Sequence, residues 1–277
     1  MNILAFKITP AGSLPHKTQT RTLDEMTREL PQGFYTTFST LSNATKVMGL
    51  HAHLQRLYVP ALELGLVPAV DESTLRNRIA DLAKMNLPKE SRIRLILTKD
   101  SGTVYAGIQL FQPLPQSVYR DGVHVITSHV SRSDPRIKGT DFIAKSAEQR
   151  KLVRGNVFEV LLSDDGKILE GMTSNFYAVK GNMLVTAQKG ILLGVTRRAV
   201  LRLARGEGMS IEYRAPRYAV GGKFDEAFLT SSSRGVVPIV SIDGSPVGEG
   251  KAGEWTKRLM KVHREYVERK AEGIADW

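Results

Sequence analysis

The 277-residue chain contains no cysteine, which excludes disulfides, thiolate nucleophiles and cysteine-ligated metals together. Long apolar runs are missing too: none approaches the length of a membrane span, and the opening MNILAFKITPAGSLPHKTQTR has no extended hydrophobic signal core. A cytoplasmic protein with no membrane partner is the expectation. A dense basic tract is also absent. The 39 basic and 28 acidic residues leave a formal charge of +11, yet they interleave, as in KAGEWTKRLMKVHREYVERK. Without zinc-finger spacing or an aromatic-basic RNA signature, that excess suits anionic small molecules or solubility, and no nucleic-acid partner is expected. The glycine pairs at Gly206 and Gly208 and in GEGKAG from Gly248 have the wrong spacing for a dinucleotide fingerprint or a P-loop. Asp164, Asp165 and Glu170 lack the order of a calcium loop. His51 and His53 alternate along a helical stretch, so they do not share a face, and no third ligand is near. No metal site and no nucleophile elbow are expected.

What is present reads as a globular chain, 42% hydrophobic and 24% charged. The residues 21–30 suggest a short helix or a turn-rich approach to the core, FYTTFSTL a strand, and Leu50, Leu54, Leu57 and Leu62 a helix that carries Arg56. ESTLRNRIADLAKMN is a second helix, and RIRLILT and VYAGIQLFQPLP form a hairpin around KDSGT. The prolines of QPLP mark a connector, which gives a small α/β domain over 1–116 and a larger one over 117–277. In the second, GVHVITSHV is a strand, and 143–154 a helix with Ala144, Ala147 and Leu152 on its apolar face. VFEVLLSDDGKILEG is a hairpin turning at Asp165 and Gly166, and NFYAVKGNMLVTA another around Gly181. GVTRRAVLRLARGEG is helical and EAFLTSSSRGVVPIVSIDG strand-like. Trp255, Leu259, Val262 and Tyr266 line one face of a long final helix. Helices and strands mix without a βαβ repeat, so the fold class is α+β and not doubly wound.

The stretch LEGMTSNFY, residues 169–177, sets Glu170 among apolar and small residues, where burying a carboxylate is unfavourable unless a cation meets it. Other pieces supply complementary chemistry. Lys138, beside Gly139, offers an amine able to form a Schiff base if its pKa is lowered. Arg56 presents a fork to phosphate, and Gly194, Val195 and Thr196 open a helix whose first amides attract an anion. Thr230 to Ser233 add hydroxyls before Arg234 and Gly235. One at a time these are a solvated glutamate in a surface turn, a loop lysine, a solvated arginine, a helix cap and a polar turn. Together they are an imine-forming amine, a carboxylate counter-charge and anion ligands.

These segments resemble the class IV, fold-type IV pyridoxal-phosphate family of branched-chain aminotransferases, D-amino-acid aminotransferases and 4-amino-4-deoxychorismate lyases. The most specific match is IKGTDF followed by LEGMTSNFYAVKGN: the interval 170 minus 138, or 32 residues, is similar to that from the Schiff-base lysine to the pyridinium-facing glutamate. The resemblance implies catalytic roles for Lys138 and Glu170. It implies cofactor contacts from Arg56 in HAHLQRL, Asn175, Val195 and Thr196 in LLGVTRR, and Ser232 and Ser233 in LTSSSRGVVPIVSIDG. Ser232, Ser233 and Tyr35 would also meet substrate. It further implies pyridoxal 5'-phosphate as cofactor, an amino-acid or primary-amine donor, a 2-oxo-acid acceptor, a homodimer, and a small α/β domain with a larger barrel-like one. Three segments depart from the family pattern: Thr36 stands where relatives often carry an acid, Ser39 where branched-chain enzymes carry an arginine, and the serines followed by Arg234 and Gly235 where a second threonine-rich turn is usual. The alternatives are a lyase using the same cofactor and a noncatalytic interaction protein.

Overall fold

The structure, a computed structural model, describes residues 3–130, 132, 134–218 and 224–275. The first elements are β1 (Leu4–Ile8), β2 (Ser13–His16), α1 (Leu23–Glu29), β3 (Gly33–Leu41), β4 (Lys46–Val47), α2 (Leu50–Glu63), α3 (Glu72–Ala83), β5 (Ser91–Thr98) and β6 (Val104–Leu110). Then come α4 (Gln116–Asp121), β7 (Val123–Ser128), α5 (Asp141–Lys145), α6 (Ala147–Lys151), β8 (Val157–Asp164), β9 (Lys167–Gly171), β10 (Asn175–Lys180) and β11 (Met183–Thr186). The chain ends with α7 (Val195–Gly206), β12 (Ser210–Tyr213), β13 (Glu226–Ser231), β14 (Gly235–Ile242), β15 (Ser245–Pro246), α8 (Glu254–Lys270) and β16 (Glu272–Gly273).

Two compact units result: Met1–Gln112 with Ile137–Lys145 and Arg269–Trp277, and Pro113–Arg136 with Ser146–Glu268. The first unit is therefore not contiguous. Gly139 bridges Phe34 beside β3, and β16 pairs with β4, so both segments join its sheet.

In the first unit seven strands run antiparallel in the order β16-β4-β3-β5-β6-β1-β2. Strand alternation divides β3 between two faces. Phe34 and Phe38 pack with Leu50, Leu54 and Leu57 of α2 and Leu75 and Ile79 of α3, whereas Tyr35 packs with Leu23, Met26, Ile96 and Ile143. Local chemistry starts the helices: Thr22 and Glu25 form a reciprocal capping box at α1, and Asp71 caps α3 by accepting from the Thr74 amide at 2.6 Å.

The second unit orders its strands β12-β11-β10-β13-β14-β7-β8-β9, and β9 also pairs with β10. That last pairing closes β10-β13-β14-β7-β8-β9 into a barrel, filled by residues such as Val125, Leu161, Ile168, Phe176, Leu229 and Ile239. The β8–β9 hairpin turns through Asp165 and Gly166 at φ 46° and 67°, the paired positive values a two-residue turn of this twist requires. Outside the barrel, Val200 and Ala204 of α7 and Leu259 of α8 cover Tyr177 and Phe228.

The fold is α+β, with a small α/β unit and a larger barrel-like one. Some expected faces differ. The helix expected over 143–154 is two short ones, α5 and α6, broken at the fully buried Ser146; Phe142 and Ile143 of α5 are buried, and Ala144 and Leu152 are exposed. Leu62 is 61% exposed because the buried stripe of Leu50, Leu54 and Leu57 continues at Ala61, and Leu62, five residues past Leu57, falls off it. In α8 the buried positions are Thr256, Leu259 and His263, with Trp255, Val262 and Tyr266 half-buried beside them. Among the described residues no helix is long and apolar enough to cross a membrane, and no cluster of three metal-ligating side chains occurs.

Candidate active site

In the first unit, Lys138 is fixed through its backbone. The Tyr35 amide donates to the Lys138 carbonyl at 2.9 Å, the Thr140 amide donates to the Gly33 carbonyl at 2.9 Å, and Thr140 Oγ1 accepts from the Gly33 amide at 2.9 Å. The chain thus runs as a short added strand beside β3, and a Cβ on Gly139 would collide with Asp141 Oδ1. The Lys138 ammonium sits 4.8 Å from the Tyr35 ring centroid, and the Arg94 guanidinium lies 4.9 Å from the same centroid. Arg94 is anchored by Asp24 at 2.6 Å, Thr27 at 3.0 Å and Thr37 at 2.9 Å.

Arg56 is half-buried on α2, one turn beyond His53 on the same face. His53 is fully buried, and its Nδ1 lies 2.6 Å from Thr36 Oγ1. Burial first, then the positive charges of Arg56 and Lys138, holds this imidazole well below its ordinary pKa. The unit thereby gathers Lys138, Tyr35, Arg56 and a neutral histidine in one electropositive neighbourhood. His53 carried no sequence assignment; its three-residue offset from Arg56 was the available signal.

In the second unit, β-pairing collects the remaining candidates at one end of the barrel. Asn175 is the register partner of both Glu170 on β9 and Thr230 on β13, and Ser232 and Ser233 lie in the turn just beyond Ser231. Glu170 is 1% exposed. Its Oε1 accepts from Arg132 Nε at 2.6 Å, and its Oε2 accepts from the Leu192 amide at 3.0 Å and from Asn175 Nδ2 at 3.4 Å. Asn175 Nδ2 also donates to the Leu192 carbonyl at 2.7 Å, which ties the Glu170 strand to the segment leading into α7. Arg132 answers why a carboxylate stands in so apolar a place, and it donates again from Nη2 to the Met172 carbonyl at 3.1 Å. Sequence reasoning missed this arginine, whose partner is 38 residues away.

Val195 and Thr196 open α7, where Gly194 provides no side-chain cap; the first-turn amides keep their positive end for an anion. Thr196 is buried and Val195 half-buried. A Cβ on Gly194 would strike Asn175 Oδ1, so the glycine is required by close approach. Ser232 and Ser233 are half-buried in a three-residue turn that ends at Gly235, φ 65°.

Residues 33–242 match the family described as Amino-transferase class IV. The chain belongs to amino-transferase class IV. The enzyme is 30% identical over 250 residues to a probable branched-chain-amino-acid aminotransferase of Thermotoga maritima, covering 87% of this chain and 88% of that one. It is 29% identical over 225 residues to the D-alanine aminotransferase of Bacillus licheniformis, covering 76% and 80%. A hypothetical aminotransferase from Mycobacterium tuberculosis, solved in a PLP-bound form, has the same fold at a TM-score of 0.74, with 22% identity and with 94% of this chain and 97% of that one covered.

Proposed function

We propose that this enzyme uses pyridoxal 5'-phosphate to move an amino group from an amino acid or primary amine to a 2-oxo acid. The carrying observation is Glu170, a buried carboxylate ion-paired with Arg132 at a barrel end that also presents an uncapped helix N-terminus. Each unit carries donors that suit part of the cofactor: the second a carboxylate for a ring nitrogen and, at Val195 and Thr196, amides and a hydroxyl for a phosphate, and the first the Arg56 guanidinium for a phosphate and the Lys138 amine for an aldehyde. When bound, the group supplies an electron sink for negative charge at the substrate's amino carbon.

Lys138 would hold the group through Nζ and, as a free amine, take and return the proton of that carbon. Glu170 would keep the ring nitrogen protonated, with Asn175 and Arg132 holding the carboxylate's direction. Ser232 and Ser233 would offer hydroxyls to phosphate and to the substrate carboxylate, and Tyr35 would border the substrate. The aminotransferase relatives support transamination, and the PLP-bound form of the Mycobacterium tuberculosis protein supports the cofactor. We take the working form to be a homodimer, as the family implies, in the cytoplasm.

The test is a pair of half-reactions followed by absorbance and mass spectrometry, with donors of both hands. A donor should convert the aldehyde form of the cofactor to the amine form and release an oxo acid, and 2-oxoglutarate or pyruvate should reverse the change. If no donor reacts, and 4-amino-4-deoxychorismate instead gives pyruvate and 4-aminobenzoate without an acceptor, the reaction is a lyase and the proposal fails.

A further inference from the structure

Arg234 stands in a turn where an arginine suggests a ligand for a substrate carboxylate. Its side chain is engaged otherwise. Nε donates to Ser231 Oγ at 2.9 Å, Nη2 donates to Thr173 Oγ1 at 2.7 Å, and Nη1 pairs with Glu159 Oε2 at 2.8 Å. The guanidinium also lies 5.3 Å from the Phe158 ring centroid. Glu159, on β8, is 2% exposed. Its Oε1 accepts from the Thr173 amide at 2.6 Å and from Thr173 Oγ1 at 2.9 Å. The Thr173 hydroxyl thus gives its single proton to Glu159 and receives one from Arg234, the full use of one donor with an accepting lone pair.

Thr173 lies between Glu170 and Asn175, in a tight turn whose Gly171 amide donates to the Ser174 carbonyl at 2.9 Å. Ser231 begins the turn that carries Ser232 and Ser233. The second turn is also held from its own backbone: Tyr119 OH donates to the Arg234 carbonyl at 2.9 Å.

We infer that Arg234 is a positioning residue that staples the 171–174 turn to the 231–235 turn, and that it does not serve as the ligand of a substrate carboxylate. The planar fork suits this task because it reaches three partners in fixed directions, which a lysine ammonium on a flexible stem does not. Glu159 offsets its charge, so what the turn offers to a substrate is hydroxyls and amides. The second clause of the inference rests on the proposed aminotransferase reading; the first rests on the contacts alone.

Two measurements on the full chain decide it. Hydrogen exchange should show amides of 171–175 and 231–235 accelerating together in Arg234→Lys, by about tenfold, the worth of one charge-assisted hydrogen bond. Acceleration in one turn only, or in neither, overturns the staple. In steady-state kinetics Arg234→Lys and Thr173→Val should raise KM for acidic and neutral amino donors by the same factor, and the double variant should be little worse than Arg234→Lys alone because both cut one network. A rise confined to acidic donors identifies Arg234 as a carboxylate ligand and overturns the inference; unchanged KM for all donors does the same. If the unaltered protein transaminates no donor, the aminotransferase reading fails, while the exchange experiment still decides the staple.

Discussion

Glu170 and Arg132 form a pair whose side chains are 2% and 3% exposed, at 2.6 Å. Removing one member of such a pair leaves a buried charge uncompensated, so Arg132→Gln should lower stability by about 3 to 5 kcal/mol in denaturant unfolding. A loss below about 1 kcal/mol would show that the pair is solvated. Glu170→Gln keeps the shape but removes the charge, and its single accepting oxygen cannot serve Arg132 together with the Leu192 and Asn175 donors, so a loss of stability accompanies it. It should still bind pyridoxal phosphate and slow single-turnover donor chemistry by about a hundredfold, the scale for removing one preorganised electrostatic partner at a reacting centre. Near-normal single turnover at saturating cofactor would reject the role of Glu170. The Glu170 half of the pair was visible in the sequence as a carboxylate in an apolar setting. Arg132 was not, because SHVSRSDP looks like any polar loop and nothing local brings its arginine to 8% exposure.

At the scale of elements, α8 contributes a buried histidine. His263 is pushed by burial from 6.5 to about 4. Between those values the unfolded chain takes up a proton that the folded imidazole refuses, so stability falls as pH drops from about 6.5 towards about 4. Urea unfolding at several pH values should show this slope in the wild type and a shallower one in His263→Gln. The slope should not vanish, since His53 is shifted the same way. Parallel profiles would refute the assignment. Gly166 tests the turn chemistry: no atom lies closer than 3.9 Å to an added Cβ, so Gly166→Ala meets only its positive φ and should cost about 1 kcal/mol. Elements with a strong local signal were legible: Asp165-Gly166 between two apolar runs and the glycine-led start of α7. The 143–154 segment was not, because its alanine spacing fits a helix while the buried contacts are made by Phe142 and Ile143, and Ser146 breaks the run.

For the whole molecule, the α+β class and the barrel's hairpins followed from alternation and turn residues, but closure did not. β9 meets β10 through the single pair Glu170–Asn175, and β7 joins β14 and β8 in parallel across long stretches of sequence, contacts for which no local pattern exists. That closing pair, with the β10–β13 pairing, sets Glu170, Asn175 and Thr230 side by side on three adjacent strands. The proposed homodimer should elute in light scattering at twice the 30.6 kDa chain mass, and a monomer that transaminates at full rate would contradict it. The central claim is that this chain holds pyridoxal phosphate through Lys138, and borohydride reduction of the cofactor-saturated enzyme followed by peptide mass mapping tests it most directly. The expected result is the reduced cofactor mass on the peptide containing Lys138 and on no other; attachment at another lysine, or none at all, contradicts the claim.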